Sequence, residues 1–167
     1  MSSNNENDKD NGKTSTRTGA GAGGEAQADA GTNARRVLQP AGWAPPRGYA
    51  NGVAATGTLV SVAGQIGWNG QCQFESDDFV DQCRQALRNI KAVLAEAGAE
   101  PRHIVRMTWY LLDKREYVAR GREVGQAYRE VLGSEYGIAM TAVQVAGLIE
   151  DRAKVEIEVT AVVPARD

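Results

Sequence analysis

Two glutamates, Glu156 and Glu158, stand two positions apart in the run Val155-Glu156-Ile157-Glu158-Val159, which alternates apolar and acidic residues. A period of two describes a β-strand, and it turns both carboxylates to one face of the sheet, about 7 Å apart. Two carboxyl groups so placed suit general acid–base work on a water molecule. They suit equally well a solvated sheet face, or ion pairs with cations such as Arg106, and the residues alone leave these readings open.

Few other residues offer chemistry. The one histidine, His103, follows Pro101 and Arg102 at the start of a strand and reads as a surface or capping residue. Cys72 and Cys83 form neither a disulfide framework nor a zinc set, and Cys83 falls on an apolar helix face as a buried thiol. There is no G-x-S-x-G elbow, phosphate loop or dinucleotide fingerprint. The run Gly19-Ala20-Gly21-Ala22-Gly23-Gly24 lacks the lysine and following helix of a phosphate loop. No metal and no cofactor is therefore expected. The loop Gly64-Gln65-Ile66-Gly67-Trp68-Asn69-Gly70 either presents backbone donors to a ligand or simply turns. Trp68 and Tyr49 either wall a pocket or pack into a core or interface.

These residues need elements to hold them. From Ser2 to Arg36 there is no Val, Ile, Leu, Phe, Trp or Tyr, and six of the chain's 19 glycines fall there. Such a stretch buries too little apolar surface to offset its ordering entropy, so residues 1–36 are expected to be a disordered tail and residues 37–164 the folding unit. A short strand is predicted near 50–55, then a turn at Thr56-Gly57-Thr58 and a returning hairpin strand over 59–66. Ser76 is a candidate N-cap for a helix over 77–97, whose apolar stripe runs from Phe79 to Leu94 and which Gly98 stops. A strand over 104–112 follows. The stripe from Tyr117 to Leu132 then predicts one helix over 116–132, and strands over 140–145 and 154–163 close the chain. The order β-β-α-β-α-β-β describes an α+β domain with two helices on one face of a mixed sheet. The other face is left in need of a partner, which points to self-association.

Composition removes several classes. The tail's basic and acidic residues cancel, and the unit keeps a slightly acidic balance within a net charge of −2. This argues against a nucleic-acid partner. No apolar run approaches the roughly 18 residues of a membrane span, and an N-terminal leader is not expected. The expected location is cytoplasmic.

Four segments together resemble the Rid/YjgF family, also known as the L-PSP endoribonuclease or enamine deaminase family. They are Arg47-Gly48-Tyr49, Val62-Ala63-Gly64-Gln65-Ile66, Gln85-Ala86-Leu87-Arg88-Asn89-Ile90 and Val155-Glu156-Ile157-Glu158. The likeness runs from Tyr49 to Val163 in the same element order. It implies a chorismate-mutase-like fold and a homotrimer with small-ligand clefts between subunits. It also implies hydrolysis of imines or enamines to carbonyl compounds and ammonia without a cofactor. By this resemblance Glu156 steers the attacking water, Tyr49 walls the cleft, and the backbone at Ala63 and Gly64 approaches the ligand.

One part of the pattern differs. Deaminating members of the family carry an arginine where this chain reads Ile138-Ala139-Met140-Thr141-Ala142, so Met140, with Ala142, lines the cleft instead. A guanidinium grips a carboxylate through two charge-assisted hydrogen bonds, and a thioether cannot. Gln144 also stands where many members have a glutamate. The resemblance thus implies weak deamination of standard 2-imino acids, with Arg47 and Arg106 as candidate substitute cations. A non-catalytic ligand-binding or partner-regulating trimer is the alternative. The ribonuclease activity ascribed to the family is the weakest reading, given the acidic balance and the single histidine.

Overall fold

The fold is organised around a strand with two different faces. In β6 (Val155–Val163) the odd-numbered Val155, Ile157, Val159 and Ala161 are buried, while Glu156, Glu158 and Thr160 are only partly covered. A computed structural model, which describes residues 35–165, sets β6 between β3 (Thr58–Ile66) and β4 (Ile104–Leu111), antiparallel to both. The fourth strand, β5 (Ala139–Gln144), joins the free edge of β4 in parallel. The result is a mixed sheet of order β3-β6-β4-β5. A parallel neighbour requires a crossover, and the chain between β4 and β5 supplies α2 (Lys114–Ala119) and α3 (Gly121–Leu132). With α1 (Phe79–Glu96), α3 packs on the apolar sheet face, burying Phe79, Leu87, Ile90, Val124 and Ala127 against Met107, Trp109, Ile157 and Val159. The α+β class, the mixed sheet and the one-sided helices are as the sequence predicts.

The N-terminal strands depart from expectation. β1 (Arg35–Leu38) and β2 (Gly52–Ala55) pair with each other as an antiparallel ribbon, and β2 does not form a hairpin with β3. The reason lies at Gly57, whose φ is +149° and where a Cβ would sit 2.1 Å from the Val163 carbonyl oxygen. The turn is pressed onto the end of β6 and hands the chain to a different sheet. Ala50 tethers the ribbon to β5 by bridging Ala139, its N–H donating to Ile138 O at 2.7 Å. The segment 1–36, expected to be a tail, lies outside the described residues except for Arg35 and Arg36, which belong to β1. Arg35 contains no apolar signal, but its guanidinium donates to the carbonyls of Gly137 and Ile104, which ties the strand down.

Two helix boundaries also shift. The N-cap of α1 is Asp78, whose carboxylate accepts from Val80 N–H (2.9 Å) and Asp81 N–H (3.1 Å). Ser76, the expected cap, instead accepts from Asp78 N–H and donates to Asp81. The single helix predicted over 116–132 breaks at Arg120, leaving α2 and α3. Arg120 reaches back to Asp78 at 2.5 Å and also grips Glu123 at 2.7 Å, so the break is fixed to the start of α1. Gly98 does end α1, at φ +65°, and Cys83 is fully buried, which pushes its thiol pKa up.

Gln82 is the buried polar residue that the apolar stripe of α1 conceals. It is 1% exposed; its Nε2 donates to Ser76 O and Arg152 O, and its Oε1 accepts from Lys154 N–H. It thereby fixes the segment that enters β6. Gln82→Ala leaves those backbone groups unpaired in a buried place and is expected to lower stability by about 2–3 kcal/mol, read as a fall in the urea midpoint. A second expectation follows from Asp78. The hydrogen bond from Arg120 outweighs burial and holds its carboxyl below the ordinary aspartate range. A depressed folded pKa contributes stability above the unfolded value, lost as pH falls from about 4 through the folded value. Urea midpoints at pH 7 and pH 3 will therefore differ less for Asp78→Asn than for the wild type.

Candidate functional site

The register separates the two glutamates that the sequence leaves equivalent. Tyr110 in β4 lies beside Glu156, and Thr108 beside Glu158, all on the sheet face away from the helices. Tyr110 Oη donates to Glu158 at 3.1 Å, and the Arg106 guanidinium stands 3.8 Å from the same carboxylate. That hydrogen bond holds the Tyr110 phenol above its usual pKa. Glu158 is thus engaged. Glu156 has no hydrogen-bond or ion-pair partner among the described residues, so its carboxylate is available for chemistry.

The neighbouring strand makes room for Glu156. In β3 the ladder with β6 is interrupted between Val62 and Gln65, leaving Ala63 and Gly64 without register partners. Such a bulge bends the strand and frees its backbone groups. A Cβ at Gly64 would fall 1.8 Å from Glu156 Oε1 and 2.7 Å from Cδ, so the carboxylate lies directly over the glycine. Ala63, Gly64 and Glu156 come together as one half-site. Past the bulge the loop turns on itself: Asn69 Oδ1 accepts from Gln71 and Gln73 N–H, and Asn69 N–H donates to Gln73 O. Trp68 packs near Phe74, with ring centroids 6.2 Å apart, and the two border a surface pocket with Ile149 and Arg152.

The other expected residues lie elsewhere. Met140 pairs with Met107 and Ala142 with Trp109, which turns both toward the helix-covered face. Met140 borders a cavity of about 250 Å³ whose other walls are Arg47, Gly48, Trp109, Tyr117, Gly121, Val124, Gly125, Tyr128 and Tyr136. Tyr49, 44% exposed, stands next to Gly48 and precedes the Ala50 tether to β5. A second half-site therefore gathers Arg47 and Met140, opposite in facing to Glu156, while the exposed Tyr49 and Ala142 are not among the residues that line this cavity. Arg47 and Arg106, equivalent in the sequence, are also divided: Arg47 borders the cavity and Arg106 lies on the Glu158 face.

The aromatic wall of the cavity is what sequence reasoning missed. Trp109 and Tyr117 tilt against each other at 6.2 Å, and Tyr128 stacks on Tyr136 at 5.1 Å. Burial pushes the Tyr128 phenol up to about 12 and raises Tyr117 as well, so both stay neutral. Gly121 and Gly125, four apart on α3, were the available signal: helical glycines on one face leave space where side chains would stand. His103 does cap, its Nδ1 accepting from Glu100 N–H, and Gln144 accepts from Lys114 N–H. Among the described residues no group of three or more His, Cys, Asp or Glu is placed to hold a metal.

This fold has counterparts in known proteins. The sequence profile of the Endoribonuclease L-PSP family matches residues 26–163, and the chain belongs to this family, the Rid/YjgF family of the resemblance above. A RutC family protein of Haemophilus influenzae is 34% identical over 106 residues, 64% of this chain and 80% of that protein. The putative reactive intermediate deaminase TdcF of Escherichia coli K12 is 32% identical over 116 residues, covering 68% and 85% of the two chains. Among solved structures, the Rid-family protein YyfB of Yersinia pestis superposes with a TM-score of 0.67 at 29% identity, over 78% of this chain and 99% of that one. TdcF of E. coli with bound serine gives 0.54 at 29% identity, over 76% and 98%.

Gly64→Ala tests the contact between β3 and β6. The added methyl cannot coexist with the present Glu156 rotamer, so a crystal structure of the variant is expected to show the carboxylate swung off the bulge. The cost in stability should stay near 1 kcal/mol, because the group displaced is the mobile end of a partly exposed side chain.

Proposed function

We propose that this protein is a small-molecule hydrolase of the imine or enamine deaminase type, acting as a homotrimer in clefts between subunits. The observation that carries the reading is the uncommitted Glu156 carboxylate over the backbone of Gly64 at a strand bulge. A carboxylate so placed can take a proton from water while the oxygen adds to the carbon of a C=N bond. The carboxyl passes that proton to the nitrogen, giving a carbinolamine, and the same carboxylate then moves the hydroxyl proton to the amine as the C–N bond breaks, releasing ammonia and leaving C=O. A general base of this kind contributes about 10²–10⁴-fold to a rate. Bulged backbone at Ala63 and Gly64 suits close approach of a flat substrate.

The opposite facing of the two half-sites supports the trimer. Glu156 and Met140 look away from each other within one chain, so a cleft that uses both is completed by a second copy. Its ligand meets Gly64 and Glu156 on one subunit and Tyr49, Met140 and Ala142 on the next. The E. coli relative TdcF, crystallised with serine, supports a ligand of amino-acid size. Because Met140 stands at the position of the deaminases' arginine, turnover of ordinary 2-imino acids is expected to be slow. A non-catalytic ligand-binding trimer is the second reading, favoured by the apolar packing of Met140 against the core.

The test couples an amino-acid oxidase, which generates imines, to ammonia release. Glu156→Gln is expected to lower the enzymatic rate by about 100-fold or more, and Met140→Arg to raise it. A wild-type rate equal to the uncatalysed background decides for the binding protein. Sedimentation should give the mass of three 17.9 kDa chains; a mass near one chain rules out the shared cleft.

A further inference from the structure

The cavity beside Met140 carries its own cation. Arg47 sits between Pro45-Pro46, whose rings fix φ, and Gly48, at φ +79° in the left-handed region. The backbone on both sides is thus constrained, and the Arg47 side chain borders the cavity. Among the described residues it forms no ion pair or side-chain hydrogen bond, whereas Arg106, the other candidate, lies on the opposite sheet face beside Glu158. A second donor in the wall is also unused. Trp109 is 2% exposed, and its Nε1 is buried without a partner. The phenols at the back are committed: Tyr128 donates to Glu135 O, and Tyr136 accepts from Arg129. The other lining residues are Tyr117, Val124, Met140 and glycines.

From this arrangement we infer that Arg47 is the specificity-determining residue of the cavity, holding the carboxylate of a small monoanion whose body is aromatic or bulky and apolar. The guanidinium supplies charge-assisted hydrogen bonds to the carboxylate. The body lies among Trp109, Tyr117 and Met140, in space kept open by Gly121 and Gly125, where a Cβ on Gly121 meets nothing within 4 Å. The inference rests on the reading of this cavity as half of the ligand cleft. It changes the substrate class from short 2-imino acids to those with a large apolar side chain.

Binding of phenylacetate and of its neutral isostere phenylacetamide to the full-length protein, by titration calorimetry, tests it without recourse to turnover. The wild type is expected to prefer the acid by about tenfold or more, the range for a hydrogen-bonded charge. Arg47→Gln should abolish that preference and Arg47→Lys retain part of it, while Arg106→Gln leaves it within twofold. Gly125→Leu, which fills the cavity, should weaken both ligands. The inference is overturned if the wild type shows no preference for the acid, if the preference survives Arg47→Gln, or if it is lost in Arg106→Gln. Acid preference through Arg47 in a protein that releases no ammonia from imines would overturn the catalytic proposal and leave this one standing.

Discussion

The two-residue period of β6 is the constraint on which the rest of the molecule depends. Paired on both edges, the strand has its register set twice, and its odd residues seal the core beneath α1 and α3. A slip of one residue would put Glu156 and Glu158 into that core and Val155 and Ile157 into solvent. Core packing therefore decides where the carboxylates face. The same reasoning fixes β5: Met140 lies beside the buried Met107, so the even positions of β5 face inward while those of β6 face outward. The Glu156 and Met140 half-sites cannot meet within one chain unless one of these registers fails; buried apolar side chains hold that of β6, and the ladder with β4 holds that of β5.

Where a structural fact has a local cause, it was legible in the residues. Alternation located β3 and β6, and the apolar stripe together with Gly98 bounded α1. The resemblance singled out Gly64 and Glu156. What remained hidden was set at long range. The β1–β2 ribbon depends on the Arg35 guanidinium finding carbonyls 69 and 102 residues away in sequence. The hairpin failed because Gly57 meets Val163, a contact no local pattern can announce. The break at Arg120 interrupts a continuous apolar stripe for an electrostatic reason, the pull of Asp78 at the mouth of another helix. Gln82 looked like a polar interruption of a helix face, and its role appears only when three backbone partners from other segments converge on it.

Alternation also could not distinguish the members of matched pairs. Glu156 and Glu158 share a face and differ only in what β4 places beside them, Tyr110 Oη and Arg106 in one case and neither in the other. Arg47 and Arg106 are separated by the whole thickness of the sheet, although the sequence offers no sign of it. In both pairs the available group is the one that the surrounding fold leaves unpaired.

Several features that cost stability lie around the cavity. Gly125, inside α3, costs about 1 kcal/mol against alanine, and with Gly121 at the helix start it opens onto the cavity rather than permitting a turn or a close backbone approach. A buried indole N–H without a partner costs a further ~1–3 kcal/mol, and it belongs to the same wall. Gly48 is held left-handed beside Arg47 at the rim. Elsewhere among the described residues Arg35 Nε and Thr108 Oγ1 are also buried without partners, whereas the Gln82 amide is fully bonded, His103 caps, and the Arg120 cluster is closed. A core selected for packing alone would place alanine or leucine at 121 and 125 and give Trp109 an acceptor. The sequence keeps the space beside the unpaired Arg47 guanidinium, and a ligand that filled the one and bonded to the other would recover part of what the empty cavity costs.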